Sequence, residues 1–420
     1  MITIRPIKAL RPDPAIAQDL VSLPYDVLDS DEAREKSLGN PYSFFHISKP
    51  EIDLDPSLDP HSPEVYAKGR ENLQRFIRDK TLIRERKPCF YVYRLIMDGN
   101  VQTGLLACVS IEDYEAGRVK KHEHTRVDKE DDRLRHIQTL NAQTGPVFLM
   151  YRHREEVQSL IEAQTASQPL YDLVKEYGIR HILYRVEETG TVRKLQSLFR
   201  GIDALYIADG HHRSAAGVRA GQDRRKNNPK HTGDEEYNSI LAVIFPHNQL
   251  RILDYNRAVK DLAGRSPEDF LSAVGERFEV KTHEAQPSGG KAFHPPCPTR
   301  FGMYMGRTWY ELSARPGTFN AADPIERLDV SILQNNLLSP VLGIGDPRTD
   351  KRIHFVGGIR GLQELERLVD GGQYRVAFSM HPTVIDQLLA VADAGRVMPP
   401  KSTWFEPKLG SGLIVHMLDE

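Results

Sequence analysis

Residues 204–220 read ALYIADGHHRSAAGVRA, and this stretch decides the architecture. Ala204 to Ala208 is a short apolar run of the kind a buried strand makes, and Asp209-Gly210 ends it in a tight turn. Ser214 to Ala220 resumes as a helix of small residues. Gly210 has no side chain to keep a ligand from the backbone. The first N–H groups of the new helix, with its dipole, favour an anion. Arg213 adds a planar fork suited to phosphate oxygens. His211 and His212 can exchange protons near neutral pH. Ser214 follows in the same turn, and Asp209 is a candidate metal ligand or base. An ordinary Asp-Gly turn before a closely packed helix would read the same way, so the turn alone does not choose.

Working outward, the neighbouring segments alternate between strand and helix. Residues 239–246 (SILAVIFP) predict a buried strand with 250–255 as its partner. Upstream, strands are expected at 147–151 and 182–186 and helices at 153–177 and 190–200. Residues 88–97 and 101–112 flank Asp98-Gly99-Asn100 and predict a hairpin. A helix is expected over 63–79, with Val65, Leu73, Phe76 and Ile77 as its apolar stripe. Asp29 to Glu32 carries cap and first-turn acids for another. An opening strand at Ile2 to Ile7 stops at the turn-forming Arg11-Pro12-Asp13-Pro14. Beyond a boundary after 262, Ser266-Pro267-Glu268-Asp269 starts a helix, and 300–313 reads as a hairpin turning at Gly306-Arg307. The fold class is mixed α/β (α+β), with domains at 1–262 and 263–420.

Three further clusters carry chemistry. Lys121-His122-Glu123-His124-Thr125 would place His122 and His124 on one face if extended, with Glu123 opposite. That suits two metal ligands or a phosphate clamp, and equally a solvated charged loop. Leu23-Pro24-Tyr25-Asp26, with Glu32 downstream, offers carboxylates. Near the C-terminus, Pro400-Lys401-Ser402-Thr403-Trp404-Phe405-Glu406-Pro407-Lys408 sets Lys401, Ser402 and Thr403 beside aromatics that could line a pocket. No Walker A sequence, no G-x-G-x-x-G after a strand, no zinc helix and no G-x-S-x-G elbow occurs.

Composition narrows the classes. The 420 residues carry 56 Lys+Arg against 58 Asp+Glu, a net charge of −2, which gives no global field for nucleic acid or an acidic membrane. Charged residues at 27% and hydrophobic ones at 40% fit a soluble globular chain. No run of 18 apolar residues predicts a membrane span. Three cysteines without a CxxC pair suggest no disulfide framework, and the cytoplasm is the expected compartment.

Together, Leu23 to Val27, His122 to Thr125, Asp209 to Arg213, Asn256-Arg257 and Pro400 to Lys408 resemble a widespread bacterial and archaeal family catalogued as a domain of unknown function. The Asp-Gly-His-His-Arg turn is also similar to the nucleotide-binding turn of the ParB/sulfiredoxin superfamily, which includes kinases of free serine. That resemblance implies a ParB/sulfiredoxin-like nucleotide-binding core, followed by a second α+β domain whose tail returns to the site. It implies a kinase of small molecules, free L-serine foremost, with ATP or ADP as phosphoryl donor and Mg²⁺ as cofactor. Asp209 to Ser214 would hold the phosphates, and Asp209 the metal. The base would be Asp26, Glu32 or Glu123, with His211 alongside. His122, His124, Thr125, Lys401, Ser402 and Thr403 would line the pocket. A nucleotide-binding regulatory protein and a metal-dependent hydrolase are the alternatives. No DNA-reading helix-turn-helix is evident, no nucleic-acid or membrane partner is expected, and a homodimer stays open.

Overall fold

The computed structural model describes residues 1–283 and 292–419. The chain is mixed α/β and divides into two compact units, Met1–Leu250 with Pro407–Glu420, and Arg251–Glu406. The sequence boundary at 262/263 falls inside the second of these. Among the described residues no helix is long and apolar enough to cross a membrane.

The first unit is built on a nine-stranded sheet. Its order is Val119–Lys120, Leu205–Asp209, Val147–Tyr151, Ser239–Pro246, Asn100–Ser110, Phe90–Met97, Arg180–Val186 and Tyr171–Val174, with Ile4–Arg5 added against Asn100–Ser110. Every residue of Ser239–Pro246 is buried, as a continuous apolar run in a sheet covered on both faces should be. The central hairpin closes Met97 onto Asn100, with Asp98 at φ 50 and Gly99 at φ 77. Left-handed geometry at both loop positions is the two-residue turn that Asp-Gly favours.

One face of the sheet is sealed by Val157 and Ile161 of helix Glu155–Ala163 and by Leu195 and Phe199 of helix Thr189–Arg200. Elsewhere in the unit, helix Val127–Leu140 packs on helix His211–Asn227 through Leu134, Ile137, Ala216 and Ala220. The small residues bring that helix close to its neighbours: a Cβ on Gly221 would lie 2.4 Å from the Tyr237 carbonyl oxygen.

The structure departs from the sequence expectations in four places. The helix expected over 153–177 ends at Ala163, and Tyr171–Val174 is an edge strand paired with Arg180–Val186. Its residues alternate buried and exposed, so pairing decided between two periods that a short segment leaves open. Residues 250–255 do not partner 239–246; Arg251–Leu253 pairs with Trp404–Glu406. The polar stretch after Arg126 is helical and laced with ion pairs rather than a loop, Arg219 bridging Glu130 at 2.8 Å and Asp131 at 2.7 Å. Pro12 ends the short strand Leu10–Pro12, a strand end being where a missing N–H is tolerated.

The second unit carries a six-stranded antiparallel sheet among the described residues. Its hairpin Arg300–Met305 and Thr308–Ala314 turns at Gly306-Arg307 as expected, both residues having positive φ.

Candidate functional site

The strand Leu205–Asp209 lies second from the sheet edge, and its register against Val147–Tyr151 slips between Ile207 and Asp209. Gly210 then takes φ 93, and the 17-residue helix starts at once with His211, three residues earlier than the small-residue run suggested. Its N-terminus carries no side-chain cap, so the leading N–H groups are left for another partner. A Cβ on Gly210 would lie 3.1 Å from both Nε and Cζ of Arg213. Gly210→Ala is therefore expected to destabilise by at least the roughly 1–2 kcal/mol of a left-handed non-glycine residue, read as a lower urea midpoint.

Arg213 and Asp209 brace the turn. The Arg213 side chain is 9% exposed, and NH2 donates to Asp209 Oδ2 at 2.6 Å while NH1 donates to the Pro146 carbonyl at 2.5 Å. Its Nε has no hydrogen-bond partner among the described residues. Asp209 Oδ1 accepts from Lys408 Nζ at 3.1 Å, so the carboxylate sits between two cations. Burial works against its charge, but Lys408 and then Arg213 outweigh burial and hold the carboxyl well below the usual range. The Asp26 carboxylate stands 3.9 Å from Arg213 NH2, its side chain 41% exposed.

Histidines pack on the other side. The rings of His122 and His211 meet edge to face, centroids 4.5 Å apart, and the His122 N–H donates to His211 Nε2 at 3.4 Å. Glu123 Oε2 is 3.8 Å from His211 Nδ1. His212 Nε2 accepts from the Arg126 N–H at 3.0 Å. Burial, and then His122, hold His211 well below its ordinary value. Burial also lowers His122 to about 4, so the pair is neutral at pH 7.

These shifts set a pH dependence with a definite sign. His122 and His136 are lowered to about 4 and His181 to about 3, each chiefly by burial. The unfolded chain therefore binds more protons than the folded one between pH 6.5 and 4, and stability must fall as pH falls through that window. Each such histidine contributes up to about 1.4 kcal/mol per pH unit. Calorimetric unfolding from pH 7 to 4 should show a steadily falling Tm; a flat Tm between 6.5 and 5 would contradict it.

Some expected site residues meet at this turn and others do not. Asp26, His122, Glu123, His211, His212 and Arg213 gather around Asp209 and Gly210. Ser214 Oγ turns back to the Gly210 carbonyl at 3.1 Å. Glu32 closes a capping box with Asp29, accepting its N–H at 3.0 Å. His122 is buried and His124 exposed, on a segment that is not a strand. Thr125 donates to Glu130 at 3.0 Å. Lys401, Ser402 and Thr403 belong to the second unit, where the Lys401 carbonyl accepts from Arg257 at 3.0 Å and Ser402 donates to the Pro399 carbonyl at 2.6 Å. From the same block, Lys408 meets Asp209.

In the sequence Tyr25 stands only as part of its motif, and neither it nor Arg133 takes a site role there. The Arg133 guanidinium lies 4.0 Å over the Tyr25 ring. Burial and then Asp26 push Tyr25 up to about 12, so its phenol stays protonated. Cation–aromatic pairs distant in sequence leave no local signal.

The residues do not fit a resident metal. Both Asp209 oxygens are held by cations, and among the described residues no three His, Cys, Asp or Glu converge on a common point.

The mixed sheet, the left-handed glycine and the cation-braced carboxylate define an α/β protein with a braced strand–turn–helix junction. Residues 4–331 match the family described as "Protein of unknown function (DUF1015)", and the chain belongs to that family. No curated protein matches. Among solved structures, a free serine kinase in complex with AMP is 12% identical, with TM-score 0.36, covering 73% of this chain and 92% of its own. A conserved hypothetical protein from Pyrococcus furiosus is 13% identical, with TM-score 0.33, covering 73% and 95%. SbnI from Staphylococcus aureus, truncated at its C-terminus, is 12% identical, with TM-score 0.32, covering 74% and 87%.

Proposed function

We propose that this protein binds a nucleoside polyphosphate at the Asp209–Ser214 turn and transfers its terminal phosphoryl group to the hydroxyl of a small acceptor, free serine foremost. The observation that carries the reading is the uncapped N-terminus of helix His211–Asn227, entered through a left-handed glycine beside Lys408 and Arg213. Phosphoryl transfer needs little covalent chemistry from the protein; it needs the phosphates positioned and their charge neutralised. The N–H groups of His211, His212 and Arg213 take the phosphate oxygens, and Lys408 and Arg213 supply positive charge. Asp209 holds the two cations apart at fixed positions. Mg²⁺ enters with the nucleotide as part of the substrate, its coordination completed by phosphate oxygens and water. Asp26, an exposed carboxylate beside Arg213, accepts the proton of the acceptor hydroxyl.

The reaction runs in the cytoplasm, in keeping with the free thiols of Cys89, Cys108 and Cys297. Phosphorus NMR on the purified full chain, with Mg²⁺ and ATP, ADP or CTP against pooled amino and hydroxy acids, tests the reading. A new phosphomonoester resonance appearing with one pool is the expected result. Nucleotide loss without any acceptor product would favour a nucleotide-binding regulator instead, and no nucleotide interaction at all would sink both.

A further inference from the structure

Beside the phosphate turn, the first unit contains a narrow cleft with an enclosed volume of about 30 Å³, open on one side. Ile137 and Ile240 supply apolar lining, and Tyr25, Ser48, Arg133 and Arg213 supply polar groups. Two of those four, Ser48 and Arg213, leave a buried polar atom without a partner among the described residues. Ser48 is 5% exposed, and its Oγ has no partner among the described residues. The same holds for Nε of Arg213, which is 8% exposed. Arg133 spends Nε and NH2 on Asp132 Oδ2, at 2.8 and 2.7 Å, which leaves NH1. The Tyr25 phenol faces Arg133 through its ring.

Buried polar groups are nearly always hydrogen-bonded, so two unpartnered ones lining one cleft, beside a second guanidinium, call for an acceptor-rich occupant. Two guanidinium groups line the cleft and no carboxylate does, which sets the sign of that occupant's charge. Asp209 and Asp26 face Arg213 through NH2 and do not line it.

We propose that this cleft binds the carboxylate of a small organic acid through Arg213 Nε, Arg133 NH1, Tyr25 OH and Ser48 Oγ, and that this acid is the phosphoryl acceptor. A carboxylate held there presents its hydroxyl towards the turn, where Asp26 stands within 3.9 Å of Arg213. In calling the bound acid the acceptor, the inference rests on the kinase reading; the anion site itself does not. Ser48, Tyr25 and Arg133 then discriminate hydroxy and amino acids from neutral alcohols. Inorganic phosphate or a nucleotide phosphate shares the same acceptor chemistry, so the test must separate these sources.

Calorimetry on the full chain would titrate L-serine, serinamide, inorganic phosphate and ATP. L-serine should bind at least about tenfold tighter than serinamide, the factor that one hydrogen bond to a charged group commands. Ser48→Ala and Tyr25→Phe each remove only a hydroxyl, and each should weaken L-serine about tenfold while leaving ATP affinity within twofold. Equal binding of serine and serinamide would overturn the proposal. So would variants that weaken ATP or inorganic phosphate as much as serine, since the anion would then be a phosphate. Phosphorus NMR separates the two readings. Transfer to a neutral alcohol without acid binding leaves the kinase reading and overturns this one; acid binding without transfer overturns the acceptor assignment and leaves the anion site.

Discussion

Replacing Asp209 with alanine is expected to destabilise the first unit by about 3–5 kcal/mol, the range for removing one partner of a buried ion pair. The effect is large because two largely buried cations pair with the one carboxylate. Arg213 and Lys408 have side chains only 9% and 12% exposed, so water does little to replace the lost carboxylate. A loss of that size is a substantial share of the roughly 5–15 kcal/mol that holds a typical protein folded. Urea unfolding should show a lower midpoint with an unchanged slope. Asp209→Asn should behave much like alanine, since the lost quantity is charge rather than shape. Adding Lys408→Met to Asp209→Ala should recover part of the loss, because the two sites are in contact and not additive. A change below about 1 kcal/mol in Asp209→Ala would mean that solvent already screens the cations.

The second large effect concerns turnover. Asp26→Asn should lower kcat by about 10²–10⁴-fold, the usual contribution of a positioned general base, while sparing nucleotide affinity. The geometry favours Asp26 over the other two acids. Glu32 is engaged in its capping box, accepting the Asp29 N–H. Glu123 stands 3.8 Å from His211 Nδ1, on the histidine side of the turn. Asp26 is 41% exposed and 3.9 Å from the nearest guanidinium nitrogen, so its oxygens are open to a substrate hydroxyl. Glu32→Gln should leave turnover within twofold. Rapid-mixing assays of a single turnover would separate the chemical step from product release. If Asp26→Asn keeps full activity and Glu123→Gln does not, the base is Glu123.

How far the sequence disclosed this site depends on the range of the contacts involved. The strand–turn–helix at 205–213 and the hairpin at Asp98-Gly99 were legible because glycine and its neighbours fix them within a few residues. The cap at Asp29 was legible for the same reason, though its Glu32 partner looked like a catalytic candidate. In a one-letter string, a carboxylate that caps a helix is identical to one that takes a proton. The edge strand Tyr171–Val174 was hidden because pairing with Arg180–Val186, not intrinsic preference, makes it a strand. Lys408 was hidden among the cations of its own block, and only the return of the chain distinguishes it from Lys401. The cleft was invisible altogether. Tyr25, Ser48, Arg133 and Arg213 come from four separate segments, and unused donors have no signature in a sequence.

That return of the chain also governs the order of events on the ribosome. Asp209 and Arg213 are synthesised before the second unit, and Lys408 only after it. At about 5–20 residues per second, the carboxylate waits on the order of ten seconds for its second cation. A nascent chain interrupted within the second unit therefore carries a complete turn with half of its charge balance. The junction closes only when the polypeptide has been read through to Lys408, which ties its assembly to the completion of translation past that point.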